Sequence, residues 1–108
     1  MEYKGYQVNE KDWKLFRKLL PEWQEAYMEK LIEEYKMILN SDDRASEKYW
    51  ALEKKVRKDQ YNSGVLARDI RRSRLEALLL QLIRDKVITV DDLEDFSEEL
   101  QERIKFIL

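Results

Sequence analysis

One proline and two glycines in 108 residues constrain this chain more than any other feature. A many-stranded sheet needs a turn every few residues, and turns draw on glycine and proline for backbone angles that other residues resist. A chain so poor in both is expected to be all-α. Its 44% hydrophobic and 41% charged residues are too apolar for a disordered polyelectrolyte and too polar for a membrane-integral protein. Amphipathic helices have this mixture. At this length the chain reads as a single domain over 1–108, able to bury roughly two-thirds of the surface it exposes when unfolded.

Local signals divide the chain into about five helices behind a short N-terminal arm, "MEYKGYQV". Asn9 can cap a first helix over Glu10 to Leu19, with Asp12 at the third helical position and Val8 and Trp13 as a hydrophobic staple. Pro21 cannot continue a helical ladder but suits a first turn, so a second helix is expected from there to Leu39. Trp23, Tyr27, Leu31, Tyr35 and Ile38 form its apolar stripe, with Met28, Ile32 and Leu39 alongside. "NSDDRAS" is a connection in which Asp43 or Ser46 can cap a third helix carrying Tyr49, Trp50, Leu52 and Val56. After the turn residues "YNSG", a fourth helix is expected from about Leu66 to Asp85. Thr89 with Asp92, and Ile88 with Leu93, then signal the start of a fifth helix through Phe96, Leu100, Ile104 and Ile107. Acids at its first turns suit the helix dipole. The short connection makes helices four and five a C-terminal hairpin, expected to pack on helix two. Trp13, Trp23, Trp50, Ile70, Leu78, Leu79, Leu82, Leu93, Phe96, Leu100 and Ile104 are the expected core.

Charge is unevenly distributed in a chain of net charge −2. Lys54, Lys55, Arg57, Lys58, Arg68, Arg71, Arg72 and Arg74 face only Asp59 and Asp69 within their stretch, whereas Asp91 to Glu102 is acidic without a cation. On a fourth helix starting at Leu66, Arg68, Arg71 and Arg72 share the side opposite Leu66, Ile70, Ala77 and Leu80. The C-terminal half of that helix is apolar nearly all round. It must be covered on both sides, by the chain's own helices or by a second subunit, which makes a homodimer an expectation. Solvated faces that partly pair with one another explain most such charges. Beyond that, Arg68, Arg71 and Arg72 are the candidate contact surface for a protein partner whose identity the sequence leaves open. The alternative is a nucleic-acid-binding regulator in which Lys54, Lys55, Arg57, Lys58 and Arg74 join them, opposed by the net charge and the acidic last segment.

The sequence argues against catalysis. Without cysteine or histidine it has no thiolate, no thiolate metal site and no side chain that ordinarily titrates near neutrality. Carboxylate pairs such as Glu29 with Glu33 or Asp95 with Glu98 occur, but none is set apart from the rest. No P-loop, dinucleotide fingerprint or nucleophile elbow is present. Neither an enzyme nor a cofactor or metal site is expected. No stretch approaches the roughly 18 apolar residues of a membrane span, and no basic-then-apolar leader opens the chain, so a soluble cytoplasmic protein is expected.

The stretches "KGYQVNEKDWKLFRKLL", "WQEAYMEKL", "SEKYWALEKKVRKD" with the following "SGV", and "VITVDDLEDFSEEL" together resemble a group of short helical proteins of Gram-positive bacteria and their mobile elements. Their function is unassigned. Some carry the label of multidrug transporter, which the lack of a membrane-length apolar run here opposes. The resemblance spans nearly the whole chain. It implies an accessory or regulatory role in a bacterial cytoplasm, brings no functional residues with it, and is broken at Pro21, where a small-residue turn is more usual. A non-enzymatic interaction or regulatory module is the expectation.

Overall fold

A computed structural model describes residues 7–108; the expected arm over residues 1–6 lies outside the described residues. The described chain is all-helical: α1 (Glu10–Leu39), α2 (Ala45–Asp59), α3 (Leu75–Arg84) and α4 (Glu98–Ile107), with single 3-10 turns at Arg72–Arg74 and Val90–Leu93. Four α-helices replace the expected five because the first two are one. α1 starts as its sequence signals, with the Asn9 side chain accepting the Lys11 N–H at 2.8 Å. It then runs unbroken through Pro21. A proline inside a helix removes one backbone hydrogen bond and crowds the carbonyl four residues back, here that of Arg17. Tertiary packing offsets the loss: Phe16 and Leu20 before the proline are buried in one core, and Trp23 after it lies against the same core.

A 30-residue helix is about 45 Å long, and it sets the shape of the molecule. The chain measures 63 × 25 × 21 Å with a radius of gyration of 17.4 Å; a compact domain of this length would have about 13 Å. The N-terminal half of α1 belongs to a compact body. Its C-terminal half projects from that body with α2 as the helix packed along it.

The body core joins Phe16 and Leu20 of α1 to Leu75, Leu78, Leu79 and Leu82 of α3, to Ile88, Leu93 and Phe96, and to Leu100 and Ile104 of α4. Trp13 stacks on Phe16 at 5.8 Å between centroids, and Trp23 meets Phe16 at 6.4 Å and Phe96 at 6.3 Å. The α3–α4 hairpin therefore packs on the first half of α1 and, within the Pro21–Leu39 segment, on Trp23. Asp12 fixes that docking. It is only 3% exposed, and its carboxylate accepts the Ser97 backbone N–H at 2.9 Å and the Ser97 hydroxyl at 2.6 Å. Ser97 is the N-cap of α4, so one buried acid ties the first turn of α1 to the start of α4.

Within the hairpin, the expected capping signal forms but caps something shorter. The Thr89 N–H donates to the Asp92 carboxylate at 2.7 Å, and Ile88 and Leu93 are both buried. The turn so capped ends at Leu93, and α4 starts only at Glu98, where the Ser97 hydroxyl accepts the Leu100 N–H at 3.3 Å. α3 ends in a Schellman arrangement. The Val87 N–H reaches the Leu82 carbonyl at 2.9 Å, the Lys86 N–H reaches Ile83 at 3.0 Å, and Lys86 occupies the left-handed region at φ 62° where glycine is usual.

Three more expectations are corrected. The helix expected from Leu66 begins at Leu75, because Asp69 takes a left-handed φ of 54° and the Arg74 guanidinium binds the carbonyls of Arg68 and Asp69 at 3.2 and 3.1 Å. Ile70, placed in the core by helical spacing, is consequently exposed. α2 is capped by neither Asp43 nor Ser46: Arg44 occupies the N-cap without a side-chain bond. Trp50 is exposed, not core, because α2 has one neighbour where a bundle helix has two.

Asp12→Ala strands two donors of Ser97 and removes a buried charge-assisted contact, so it should lower unfolding free energy by about 3 kcal/mol in urea titrations. Lys86→Gly relieves a left-handed residue and should raise the same quantity by about 1 kcal/mol.

Candidate functional site

Residues 60–74 form a connector that leaves α2 and runs back along α1 to the start of α3. The connector's first turn is held tightly. Gln24 donates to the Ser63 carbonyl at 3.0 Å, Asn62 donates to the Asp85 carbonyl at 3.1 Å, and the Gly64 N–H donates to the Asn62 side chain at 2.8 Å. A side chain at Gly64 would overlap the Tyr27 ring and Val87, so the "SG" pair marks a close approach of the connector to α1.

Arg68, Arg71, Arg72 and Arg74 lie farther along this connector and at the entry to α3. Arg72 pairs with Glu10 at 2.6 Å and donates to the Val8 carbonyl at 3.2 Å, which fastens the connector to the start of α1. Arg71 pairs with Asp69 at 2.7 Å. Arg74 lies 3.5 Å from the same carboxylate, besides gripping the two carbonyls. The guanidinium of Arg68 alone of the four has no hydrogen bond or ion pair among the described residues. Arg71 and Arg72 remain exposed, so their ion pairs leave them reachable.

The lysine-rich group sits on a different element. Lys54 and Lys58 are exposed on α2, and Arg57 pairs with Glu53 one turn away. Lys55 turns inward, bonded to Glu34 at 3.1 Å and Asp59 at 3.2 Å. Tyr35 donates to the same Asp59 carboxylate at 2.8 Å, and burial together with this bond pushes its phenol up to about 12. Two helices thus share one small polar cluster where the arm meets the body.

Between connector, α1 and α3 lies a half-open cavity of about 240 Å³. Phe16, Leu78 and Leu82 make it apolar on one side; Tyr61, Arg68 and Arg74 stand among its polar lining, and Ser63 and Asp85 line it with Gln81. Burial pushes the Asp85 carboxyl up, but bonds from the Ser63 backbone N–H at 2.9 Å and from Gln81 at 3.1 Å, with the nearby Ser63 hydroxyl, outweigh it and hold the group below the ordinary carboxylate value. The Ser63 hydroxyl oxygen is buried, close enough to favour the carboxylate, yet in hydrogen-bond geometry with nothing among the described residues. Sequence reasoning found Arg68 and Arg74 but missed Ser63, Gln81 and Asp85. No spacing signals them, because they converge only when the connector folds back on α3.

A group held below its ordinary value stabilises the fold above about pH 3.8 and loses that contribution as pH falls through its folded value. Asp85→Asn should therefore destabilise at neutral pH by about 1 kcal/mol and show a shallower loss of stability below pH 4 than wild type, read by urea midpoints across pH. No protein-family model matches the sequence, and comparison with curated proteins and with solved structures gives no match.

Proposed function

We propose that the chain is a non-enzymatic interaction module, regulatory in role, that meets its protein partner through the projecting α1–α2 arm. The observation that carries this reading is a mismatch between what the arm buries and what it exposes. Within the arm Leu31 alone is buried, whereas Ile32 is 49%, Met37 75%, Leu39 50%, Tyr49 64% and Trp50 63% exposed. Two of these extend a groove already present. Met28, Ile32, Tyr35 and Val56 line it between the helices; Leu39 follows Ile32 by seven residues and Tyr49 precedes Val56 by seven, so helical periodicity sets both on its side. Trp50 packs edge-on against Tyr49 at 5.1 Å. Exposed apolar groups gathered on one face, rimmed by charge, mark a contact surface.

The charges name the partner that fits. α1 carries Glu22, Glu25, Glu29 and Glu33 as an exposed stripe, and α2 carries Lys54, Arg57 and Lys58 as another. A twofold arrangement can set the acidic helix of one arm against the basic helix of a second copy and cover the groove as a four-helix bundle. Arg68, Arg71 and Arg72, the contact surface the sequence favours, carry less of this reading because two of the three are engaged with Asp69 and Glu10. The nucleic-acid alternative is weakened in the same way by the inward bonds of Lys55. A Gram-positive cytoplasm and its mobile elements as setting rest on the resemblance of the stretches quoted above.

Light scattering after gel filtration tests the reading. Wild type should be dimeric at micromolar concentration, Leu39→Glu/Tyr49→Glu should be monomeric with unchanged helical circular dichroism, and Arg68→Glu/Arg71→Glu/Arg72→Glu should stay dimeric. A wild type that remains monomeric at every concentration, or a dimer that survives the arm variant, would reject the arm as the contact.

A further inference from the structure

The arm uses only part of the chain's charge asymmetry, and the acidic end of it lies on α4. A turn of about 100° per residue sets Leu100 and Ile104 toward the core, where both are fully buried, and carries Glu98, Glu99, Glu102 and Phe106 to the opposite side. Phe106 is 92% exposed, and Ile107 beside it 42%. With Glu99, Glu102 and Arg103, these two residues line an open trough of about 520 Å³ that follows about two turns of the helix. Glu98, Glu99 and Glu102 are exposed and make no ion pair among the described residues. Arg103 does not offset them, because its guanidinium is bonded to Glu76 at 2.9 Å. Lys105, the other cation of α4, lies more than about 100° around the helix from both Glu99 and Ile107.

We infer that this face of α4 is a docking surface for a basic amphipathic helix of another protein, separate from the arm. The carboxylates select the sign of the partner. They repel the phosphates of nucleic acid and of anionic lipid, and they attract lysine and arginine with no cation of the trough left free to compete. Phe106 and Ile107 require apolar groups between those charges. An aliphatic side chain on the visiting helix can cover the Phe106 ring while a cation one turn away on the same helix meets Glu102. The form of the trough completes the description. An open channel along one helix gives a small molecule little enclosure, but it accepts a second helix whose apolar anchors recur three and four residues apart. The chain's own basic helix, α2, is the complement of the acidic stripe of α1 in the arm, which leaves α4 to a different partner.

Nitrogen-15 chemical-shift titration of the whole chain tests this face with three designed helices. One carries leucine and lysine over two heptads, the second has glutamate for each lysine, and the third has serine for each leucine. The leucine–lysine helix should give saturable shifts at the Glu99, Glu102, Phe106 and Ile107 amides, and the other two should bind about tenfold more weakly or worse. Phe106→Ser, which leaves the core alone because the ring is exposed, should weaken the leucine–lysine helix about tenfold. Glu99→Lys/Glu102→Lys should reverse the preference and favour the glutamate helix. Leu39→Glu/Tyr49→Glu should change none of this, so failure of the arm and failure of this face are read separately. Shifts confined to the α1 stripe, affinity indifferent to Phe106→Ser, or a charge preference that Glu99→Lys/Glu102→Lys leaves unchanged overturns the assignment. So does a fall in oligomer mass caused by Phe106→Ser alone, which would seat a second copy of the chain on this face.

Discussion

Everything in this molecule hangs on the continuity of α1 across Pro21. A helix that stopped at Leu19 would have let the following segment fold back into a compact bundle. The unbroken helix instead carries the chain about 45 Å in one direction, so no single core can enclose both ends. Its first half gathers α3, α4 and the connector; along its second half the packed helix is α2, with the connector touching it at Tyr27. The lost hydrogen bond at Pro21 is tolerated because Phe16, Leu20 and Trp23 engage the same core on either side of it. Large buried side chains contribute roughly 1.5–3 kcal/mol each, so Phe16 and Leu20, with the half-buried Trp23, outweigh one missing backbone bond.

The result is a molecule with two regimes of stability. In the body a run of leucines on α3 meets aromatic side chains from α1 and the α4 hairpin, and Asp12 adds directional bonds to Ser97 that set how the hairpin sits. In the arm, polar contacts replace burial: Tyr35, Lys55, Glu34 and Asp59 hold the helices together near the body, and Lys48 donates to the Leu39 carbonyl near the tip. Partly exposed bonds of this kind contribute little each. Such an element is poised to gain from a partner, since covering its apolar side supplies the burial that the single chain lacks.

Electrostatics follows the same division. The basic and acidic stretches that look complementary in sequence do not supply each other's partners at the arginines, whose ion pairs lead to Asp69 and Glu10. Arg103 of the acidic helix pairs instead with Glu76 of α3 at 2.9 Å, which locks the hairpin. Of the four arginines at the connector, Arg68 alone has a guanidinium without a partner among the described residues, while Arg71, Arg72 and Arg74 are engaged within the connector or with α1.

The all-helical class was legible because turn-forming residues are scarce and apolar residues recur at helical spacing, and both are local properties of the chain. Caps were legible where the capping atoms are close in sequence, as at Asn9 and at Thr89 with Asp92. The leucines of α3 and the apolar face of α4 were legible as core for the same reason. Local signals failed wherever a distant contact decided the outcome. Pro21 looks like a break until Phe16 and Trp23 share a core. Leu66 to Arg71 looks like a helix until Arg74 binds the carbonyls at Arg68 and Asp69. Trp50 looks buried until α2 proves to have one neighbour. The cavity of Ser63, Arg68 and Asp85 has no sequence signature at all, since residues 63 and 85 meet only through the folding back of the connector. Helix content was written in near-neighbour chemistry; which helices share a core, and which polar groups are left facing a cavity, was decided only by long-range packing.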